Sequence, residues 1–244
     1  MCSSDLDPVH GGCWDALPRP DALRRQNPHM HLFEALLALH ETTGRADLLD
    51  RARALHALAL TRFIDPATGA LREYYDDAWR VHPAPGAGRV EPGHLFEWAW
   101  LLRRFEAASG EDQTAPVAAL LRLALGSGLD ARRPGRILDE IGEDGCPLAL
   151  GSRTWPHCEA LKALAEEAAR GGGALPVGID AEATLAAVLA RLLDAHLAPA
   201  LAGGWIDHLD ADDRPLSAAM PASTLYHVHF GLAAAIDLAG RPHP

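Results

Sequence analysis

The feature that most constrains the fold is a proline that recurs at nearly constant spacing. Four prolines stand 64, 64 and 65 residues apart, each just before a long segment with helical spacing of apolar residues: Pro28, Pro92, Pro156 and Pro221. Proline suits the first turn of a helix, where its missing N–H would have no partner in any case. The spacing therefore predicts a structural unit that occurs four times.

Each unit is predicted to hold a pair of helices. Helices are expected after the prolines at residues 30–43, 93–109, 157–170 and 222–238, and between them at 46–63, 113–125 and 181–197. Ahead of each proline lies a short aromatic or branched segment, predicted as a small hairpin or extended loop, at residues 12–17, 71–76, 137–141 and 204–209.

Two helices per period indicate a helical array, either an open solenoid or a closed toroid. Open solenoids end in polar capping units, whereas this chain ends with the fourth proline-led helix and a short tail. We therefore predict an all-α fold of the α/α toroid type, with about seven to eight helices and short β-hairpins in the connecting loops. The loops that lead into the inner helices would crowd one mouth of the ring, where a binding site would form.

The composition and charge of the chain argue against some classes of binding partner. Hydrophobic residues make up 48% and charged residues 23% of the chain, as in ordinary globular domains. Acidic residues outnumber basic ones by 33 to 22 and no basic run occurs, which argues against nucleic acid and anionic membranes as partners. No uncharged apolar stretch of 18 residues and no signal pattern is present, so we expect a cytoplasmic protein with reduced cysteines.

Histidines and carboxylates follow the prolines. The residues concerned are His29, His31, Glu34, His94, Glu97, His157, Glu159, Tyr226 and His227. If the prolines mark equivalent places, these side chains meet at one cavity, beside Trp98, Trp100 and Trp155. Each also has a structural interpretation, since a histidine near a helix start is often a cap and a first-turn acid is favoured by the helix dipole.

A metal site is the less favoured interpretation. The pairs His29-x-His31 and His227-x-His229 offer two imidazoles each, but residues two apart on a helix point about 200° apart. The helical zinc pattern His-Glu-x-x-His is absent, as are the glycine-rich nucleotide loops and the Gly-x-Ser-x-Gly elbow. We predict neither a metal nor a cofactor.

Histidines suit proton transfer at carbon. Imidazole titrates near neutral pH, so two histidines on opposite sides of a bound molecule can act as general base and general acid. They could remove the proton at C2 of an open-chain aldose. Its return to the opposite face of C2 gives an epimer, and its delivery to C1 through an enediol gives a ketose.

Four motifs in order resemble the N-acylglucosamine 2-epimerase superfamily, which includes mannose isomerases and cellobiose 2-epimerases. They are RQNPHMHLFEA at 25–35, EPGHLFEW at 91–98, Trp155-Pro156-x-x-Glu159, and PASTLYH at 221–227. The first and last look most like the mannose isomerase branch. The resemblance implies an α/α barrel of six helix pairs, a monosaccharide bound at its mouth and no cofactor.

The resemblance also implies roles for individual residues. His94 and His227 are expected to be the catalytic acid/base pair, and His31 to bind the sugar and its ring oxygen during opening. Four further residues match positions that hold hydroxyls or stack on the sugar: Asn27, Glu97, Trp155 and Glu159.

Six units of this period would need about 384 residues, so 244 residues supply about four. We therefore expect an N-terminally truncated member of the family, with a non-native or disordered leader at 1–10 and a single α/α-barrel domain at 11–244. An open barrel edge would favour a homo-oligomer.

The resemblance favours isomerisation of mannose to fructose. The alternatives are a 2-epimerase acting on N-acylglucosamine or a disaccharide, a fragment that binds a sugar or a protein without turnover, and an inverting glycosidase. The last would use two carboxylates among Glu97, Glu159, Asp139 and Glu140.

Overall fold

The computed structural model describes residues 7, 9–15, 18, 23–82, 88–198 and 202–241. Within these ranges lie seven helices: α1 Asn27–Thr43, α2 Ala46–Leu58, α3 Pro92–Ser109, α4 Thr114–Ser127, α5 Thr154–Ala169, α6 Ala181–Arg191 and α7 Ala222–Ala239. The π-helical turns Ala59–Phe63 and Leu192–Leu197 extend α2 and α6. All seven predicted helices are confirmed.

The repeated prolines start the helices as predicted. Pro28 and Pro92 lie in the first two positions of α1 and α3, Pro156 lies in the first turn of α5, and Pro221 directly precedes α7. Their fixed φ angle suits these positions. A repeated sequence signal therefore places four equivalent helix starts in space.

The odd-numbered helices form an inner row. Helix α3 packs against α1 and α5, and α5 packs against α7, while α2, α4 and α6 cover the outer side of α1, α3 and α5. The described helices form an open arc of the α/α toroid, which confirms the predicted fold class. None of them is both long and apolar enough to cross a bilayer. The predicted homo-oligomer stays a prediction.

Short strands link successive repeats. They are β1 Arg24–Arg25, β2 Tyr74–Tyr75, β3 Arg89–Val90, β4 Glu140–Gly142, β5 Pro147–Ala149, β6 Ser152–Arg153 and β7 His208–Leu209. The antiparallel pairs β1–β2, β3–β4 and β6–β7 each join the strand ahead of an inner helix to a strand of the following repeat. Of the strands described, β4 and β5 alone form a local hairpin. The pairing thus holds neighbouring mouth loops together.

Two of the segments predicted from the sequence are only partly described by the structure. The predicted segment 12–17 and leader 1–10 lie partly outside the described residues. The division into a leader and one domain stays a prediction.

Two histidines at helix starts form hydrogen bonds with the backbone of neighbouring loops. His29 and His157 each follow a repeated proline, and Nδ1 of each donates to the carbonyl four residues earlier, at 3.0 and 2.8 Å. Their Nε2 atoms accept the backbone N–H groups of Cys13 and Ile137 at 2.9 and 3.3 Å. Both rings are fully buried. This bonding gives both a structural role and fixes one neutral tautomer.

A further buried histidine joins the end of α6 to the loop before β7. His196 lies in the π-helical turn after α6, and its Nδ1 donates to the Ile206 carbonyl at 2.8 Å. Its ring centroid lies 4.9 Å from that of His157. Burial lowers the pKa of His196 to about 4, and burial together with His196 lowers the pKa of His157 well below its usual value. The fold therefore holds both rings neutral.

These neutral histidines predict acid lability. The unfolded chain takes up protons near pH 6.5 that the folded rings do not, so the free energy of unfolding should fall as pH drops from 6.5 towards 4. For His196 the full shift corresponds to roughly 3 kcal/mol. Urea unfolding at pH 7 and pH 5 measures the loss. His196→Gln keeps an amide donor for the Ile206 carbonyl. This variant should lose less unfolding free energy between pH 7 and pH 5 than the wild type.

The control is His229→Gln, since His229 is exposed on α7. This variant should show the wild-type difference between the two pH values. An equally large loss in His196→Gln would contradict the assignment.

Candidate functional site

The inner helices begin around one cavity of about 370 Å³, within the usual size range for small-molecule sites. Six of the seven predicted site residues line it: Asn27, His31, His94, Glu97, Trp155 and His227. The seventh, Glu159, lies behind His227 and is fully buried. The structure therefore brings together residues up to 200 positions apart, as the repeat predicts.

His94 is held by a buried carboxylate. Its Nδ1 lies 2.9 Å from Glu73 Oε1, and its Nε2 lies 3.2 Å from the Asn27 side-chain nitrogen. Glu73 belongs to the segment that leads into β2 and is 5% exposed, so it has lost most of its contact with water. An Nδ1–H donated to Glu73 leaves Nε2 directed at the cavity.

An indole group fixes the direction of these hydrogen bonds. The Trp98 Nε1–H can only donate, and it donates to Gln26 Oε1 at 2.8 Å. The Gln26 amide nitrogen must then donate, and it donates to Glu73 Oε2 at 2.9 Å. Glu73 is left with Oε1 to accept from His94. A tryptophan in the core thus fixes the direction in which a cavity histidine donates its Nδ1 proton.

The charge beside His94 changes its acidity. Burial alone would lower the pKa of His94, but the charge of the Glu73 carboxylate and its hydrogen bond outweigh burial and raise this pKa to about 9. The charge of Glu91 acts in the same direction. His94 is therefore an imidazolium at neutral pH and can act as a proton donor.

His227 has a matching but different arrangement. Its Nδ1 lies 2.6 Å from Glu159 Oε1, and the other oxygen of Glu159 lies 2.6 Å from the Lys162 ammonium. Lys162 is buried, and its Nζ lies 3.9 Å from the centroid of the Trp100 ring. Glu159 therefore shares its charge between an imidazole and a cation, whereas the second partner of Glu73 among the described residues is the neutral amide of Gln26.

Trp155 contacts the rings of both histidines. Its ring centroid is 5.0 Å from that of His94 and 5.6 Å from that of His227. A Cβ atom on Gly93 would stand 2.4 Å from the Trp155 ring, so only glycine at position 93 leaves room for this indole. The pair Gly93-His94 in α3 therefore has two roles. His94 supplies the imidazole, and Gly93 leaves space for the Trp155 ring beside it.

Glu97 is a buried acid that faces the cavity. Neither of its carboxyl oxygens has a hydrogen-bond partner among the described residues. Burial, and next the charge of Glu159, raise the pKa of Glu97 well above its usual value, which favours the protonated form. His31 Nδ1 lies 3.7 Å from Glu97 Oε1 and 3.4 Å from the Tyr226 hydroxyl. Glu97 and His31 are thus available to bind polar groups of a ligand.

Two groups in this part of the chain could hold a metal ion by distance. Their ligand atoms lie within 4.8 Å of one another: His31, Glu34 and Glu97 in the first, and Glu97, Glu159 and His227 in the second. In the second group the Lys162 ammonium already lies 2.6 Å from Glu159 and supplies positive charge there. The absence of a metal stays a prediction.

The carboxylates proposed for a glycosidase do not fit that chemistry. Asp139 is paired with His208 at 2.6 Å, Glu140 lies in β4, and neither lines the cavity. Glu97 and Glu159 have carboxyl oxygens within 4.8 Å of each other. An inverting glycosidase needs about 6.5–9.5 Å between its carboxyl groups to admit water.

The sequence interpretation missed Glu73, although a signal for it was present. The four segments ahead of the prolines each carry an acid as their third or fourth residue, in Cys13-Trp-Asp, Leu71-Arg-Glu, Ile137-Leu-Asp and Trp205-Ile-Asp. The structure places each acid beside a mouth residue: Asp15 at Arg25, Glu73 at His94, Asp139 at His208 and Asp207 at Thr224. Aligning the repeats on these acids would have found it.

Comparison with known proteins agrees with this geometry. The family model described as N-acylglucosamine 2-epimerase (GlcNAc 2-epimerase) matches residues 4–230. The chain is 39% identical over 208 residues to a mannose-6-phosphate isomerase from Rhizobium meliloti (strain 1021), covering 83% of this chain and 52% of the relative. It is 31% identical over 158 residues to a D-mannose isomerase from Pseudomonas cannabina pv. alisalensis, covering 58% of this chain and 38% of the relative.

The chain thus spans about half the length of these relatives, or less. A solved D-mannose isomerase structure superposes with a TM-score of 0.74 at 22% identity and covers 89% of this chain and 57% of that one, which shows the fold. The predicted mannose isomerase branch is confirmed by these relatives. With most of its length matched by the family model, the chain belongs to the N-acylglucosamine 2-epimerase family.

Proposed function

We propose that this site isomerises an aldose of the mannose type to the corresponding ketose by proton transfer between C2 and C1. The observation that supports this most is that His94 and His227, from different inner helices, both contact the Trp155 ring and line one cavity. A hexose stacked on the indole would present its C1–C2 end to both imidazoles. No cofactor takes part in the proposed reaction.

The two histidines take different roles because their carboxylates differ. His94, charged at neutral pH through Glu73, is the general acid. His227 is the general base, since Nδ1–H is donated to Glu159 and Nε2 is left with its lone pair. The Glu159 charge next to it stabilises the imidazolium that forms.

The proposed reaction has two balanced steps. His227 removes the C2 proton while His94 donates a proton to the C1 carbonyl oxygen, which gives the enediol. His94 then takes the proton of the C2 hydroxyl, and His227 delivers its proton to C1, which gives the ketose. Asn27, His31 and Glu97 lie around the cavity where they can bind hydroxyl groups.

Epimerisation at C2 is the second candidate, because the family model itself is described as a 2-epimerase. It shares the first step and differs only in where the proton returns. The relatives' names differ in another respect, since one names a phosphorylated sugar and the other free mannose. The family relation implies a monosaccharide ligand. The cytoplasmic location stays a prediction.

Proton transfer at C2 can be followed by isotope exchange. Mannose incubated with the chain in deuterated water should lose its C2 proton signal in NMR spectra. His94→Ala and His227→Ala should each slow this loss at least 100-fold, since general acid–base groups contribute about 10²–10⁴. His229→Ala, two residues along α7 at an exposed position, is the control and should match wild type.

Exchange that survives both substitutions would remove these histidines from the mechanism. Mannose binding measured by calorimetry without exchange would instead select a binding protein without turnover.

The aromatic surface beside the histidines can be tested by displacing the Trp155 ring. Gly93→Ala places a methyl group 2.4 Å from the present position of the Trp155 ring, so the indole must move and exchange should slow about 10-fold or more. The control is Gly126→Ala in α4, where no atom lies within 4 Å of the new methyl group. A Gly93→Ala variant with wild-type exchange would show that the position of Trp155 does not matter.

A further inference from the structure

The cavity carries positive charge that the proposed proton transfer does not use. Three arginines recur at the period of the prolines, three residues before each of the first three: Arg25, Arg89 and Arg153. They lie in β1, β3 and β6, the strands that lead into α1, α3 and α5. The repeat thus places three guanidinium groups at equivalent positions around the mouth, and Arg25 and Arg153 line the cavity.

Arg89 is committed to neighbouring acids. Its guanidinium lies 2.5 Å from Glu91 and 3.3 Å from Glu140. Among the described residues Arg25 has one ion pair, to Asp15 at 2.7 Å, and its side chain remains 40% exposed. Of these two, only Arg25 still presents donors to the cavity.

Arg153 is the least neutralised of the three. Its guanidinium makes no hydrogen bond within the described part of the chain, and its nearest ion-pair partner is Asp139 Oδ1 at 4.0 Å. Asp139 itself is paired more closely with His208, at 2.6 Å. Glu91, which also lies near Arg153, is bonded to Arg89. The charge of Arg153 is therefore available, on a side chain that is 37% exposed.

A guanidinium with free donors in a concave site suits a phosphate group. Its planar fork makes two parallel hydrogen bonds to phosphate oxygens, and each bond is strengthened by charge. Ser223, in the first turn of α7, lies in the same cavity lining and adds a hydroxyl donor. The acids Glu73 and Glu97 lie at the histidine end of the cavity, beside His94 and His31. Glu91 also lines the cavity and lies near Arg153, but its carboxylate is bonded to Arg89.

We propose that Arg153 and Arg25 form a phosphate subsite, and that the ligand of this site is a hexose phosphate whose phosphate lies at the end of the sugar remote from C1 and C2. This inference rests on the proposed isomerisation. It assigns the histidines to the carbonyl end of the sugar and the arginines to the phosphorylated end.

The test compares the two sugars in variants of the full 244-residue chain. The ratio of kcat/KM for C2 exchange on mannose 6-phosphate to that on mannose should exceed about 10 in wild type. Arg153→Gln should lower this ratio at least 10-fold, mainly through KM, and Arg153→Lys should restore part of it. Arg132→Gln is the control, since Arg132 is exposed, pairs with Asp130 and does not line this cavity.

A ratio of one or less in wild type, or a ratio that Arg153→Gln leaves unchanged in a folded protein, would overturn the phosphate subsite and leave the isomerisation intact. Absence of exchange on both sugars would instead contradict the proposed function. In that case, binding measurements alone test whether the phosphate subsite exists. Calorimetric titration with mannose 6-phosphate and with inorganic phosphate should show both bound by wild type, the sugar phosphate more tightly, and both weakened at least 10-fold by Arg153→Gln.

Inorganic phosphate bound as tightly as the sugar phosphate would mean that free phosphate is the ligand, which contradicts the proposal. Circular dichroism and the thermal midpoint establish that each variant is folded.

Discussion

The hydrogen bond between a buried carboxylate and an imidazole Nδ1 is the interaction on which this site depends. It occurs twice, between Glu73 and His94 at 2.9 Å and between Glu159 and His227 at 2.6 Å. In each pair it fixes the ring and holds a proton on Nδ1, so that Nε2 faces the cavity. Without it, either ring could turn, and the proton would have no defined position.

The fold supplies these carboxylates from different places. Glu159 lies on α5, next to the helix that carries His227, whereas Glu73 comes from the loop segment before β2, which pairs with β1. Behind Glu73 stands the Gln26 amide, oriented by Trp98 in the core. Behind Glu159 stands the Lys162 ammonium. The same motif therefore has two electrostatic settings, which is what a reaction with a separate acid and base requires.

Much of this could be predicted from the sequence, for a physical reason. The proline period and the apolar spacing are local signals, so they located all seven helices and the residues at the helix starts, including His94 and His227. The roles of individual histidines could not be predicted in this way. His29 and His157 follow their prolines as closely as His94 does, yet backbone hydrogen bonds engage both of their nitrogens. Glu73 was missed because its contact with His94 depends on pairing between repeats.

The protonation of His94 is the most direct measure of this account. Histidine-selective ¹⁵N NMR spectra recorded from pH 5 to pH 10 report the tautomer and the pKa of each ring. His94 should remain an imidazolium at pH 7.5 and titrate near pH 9, and Glu73→Gln should move its pKa well below that. A His94 that titrates at or below pH 6.5, with no response to Glu73→Gln, would show that the carboxylate does not set the proton of this histidine.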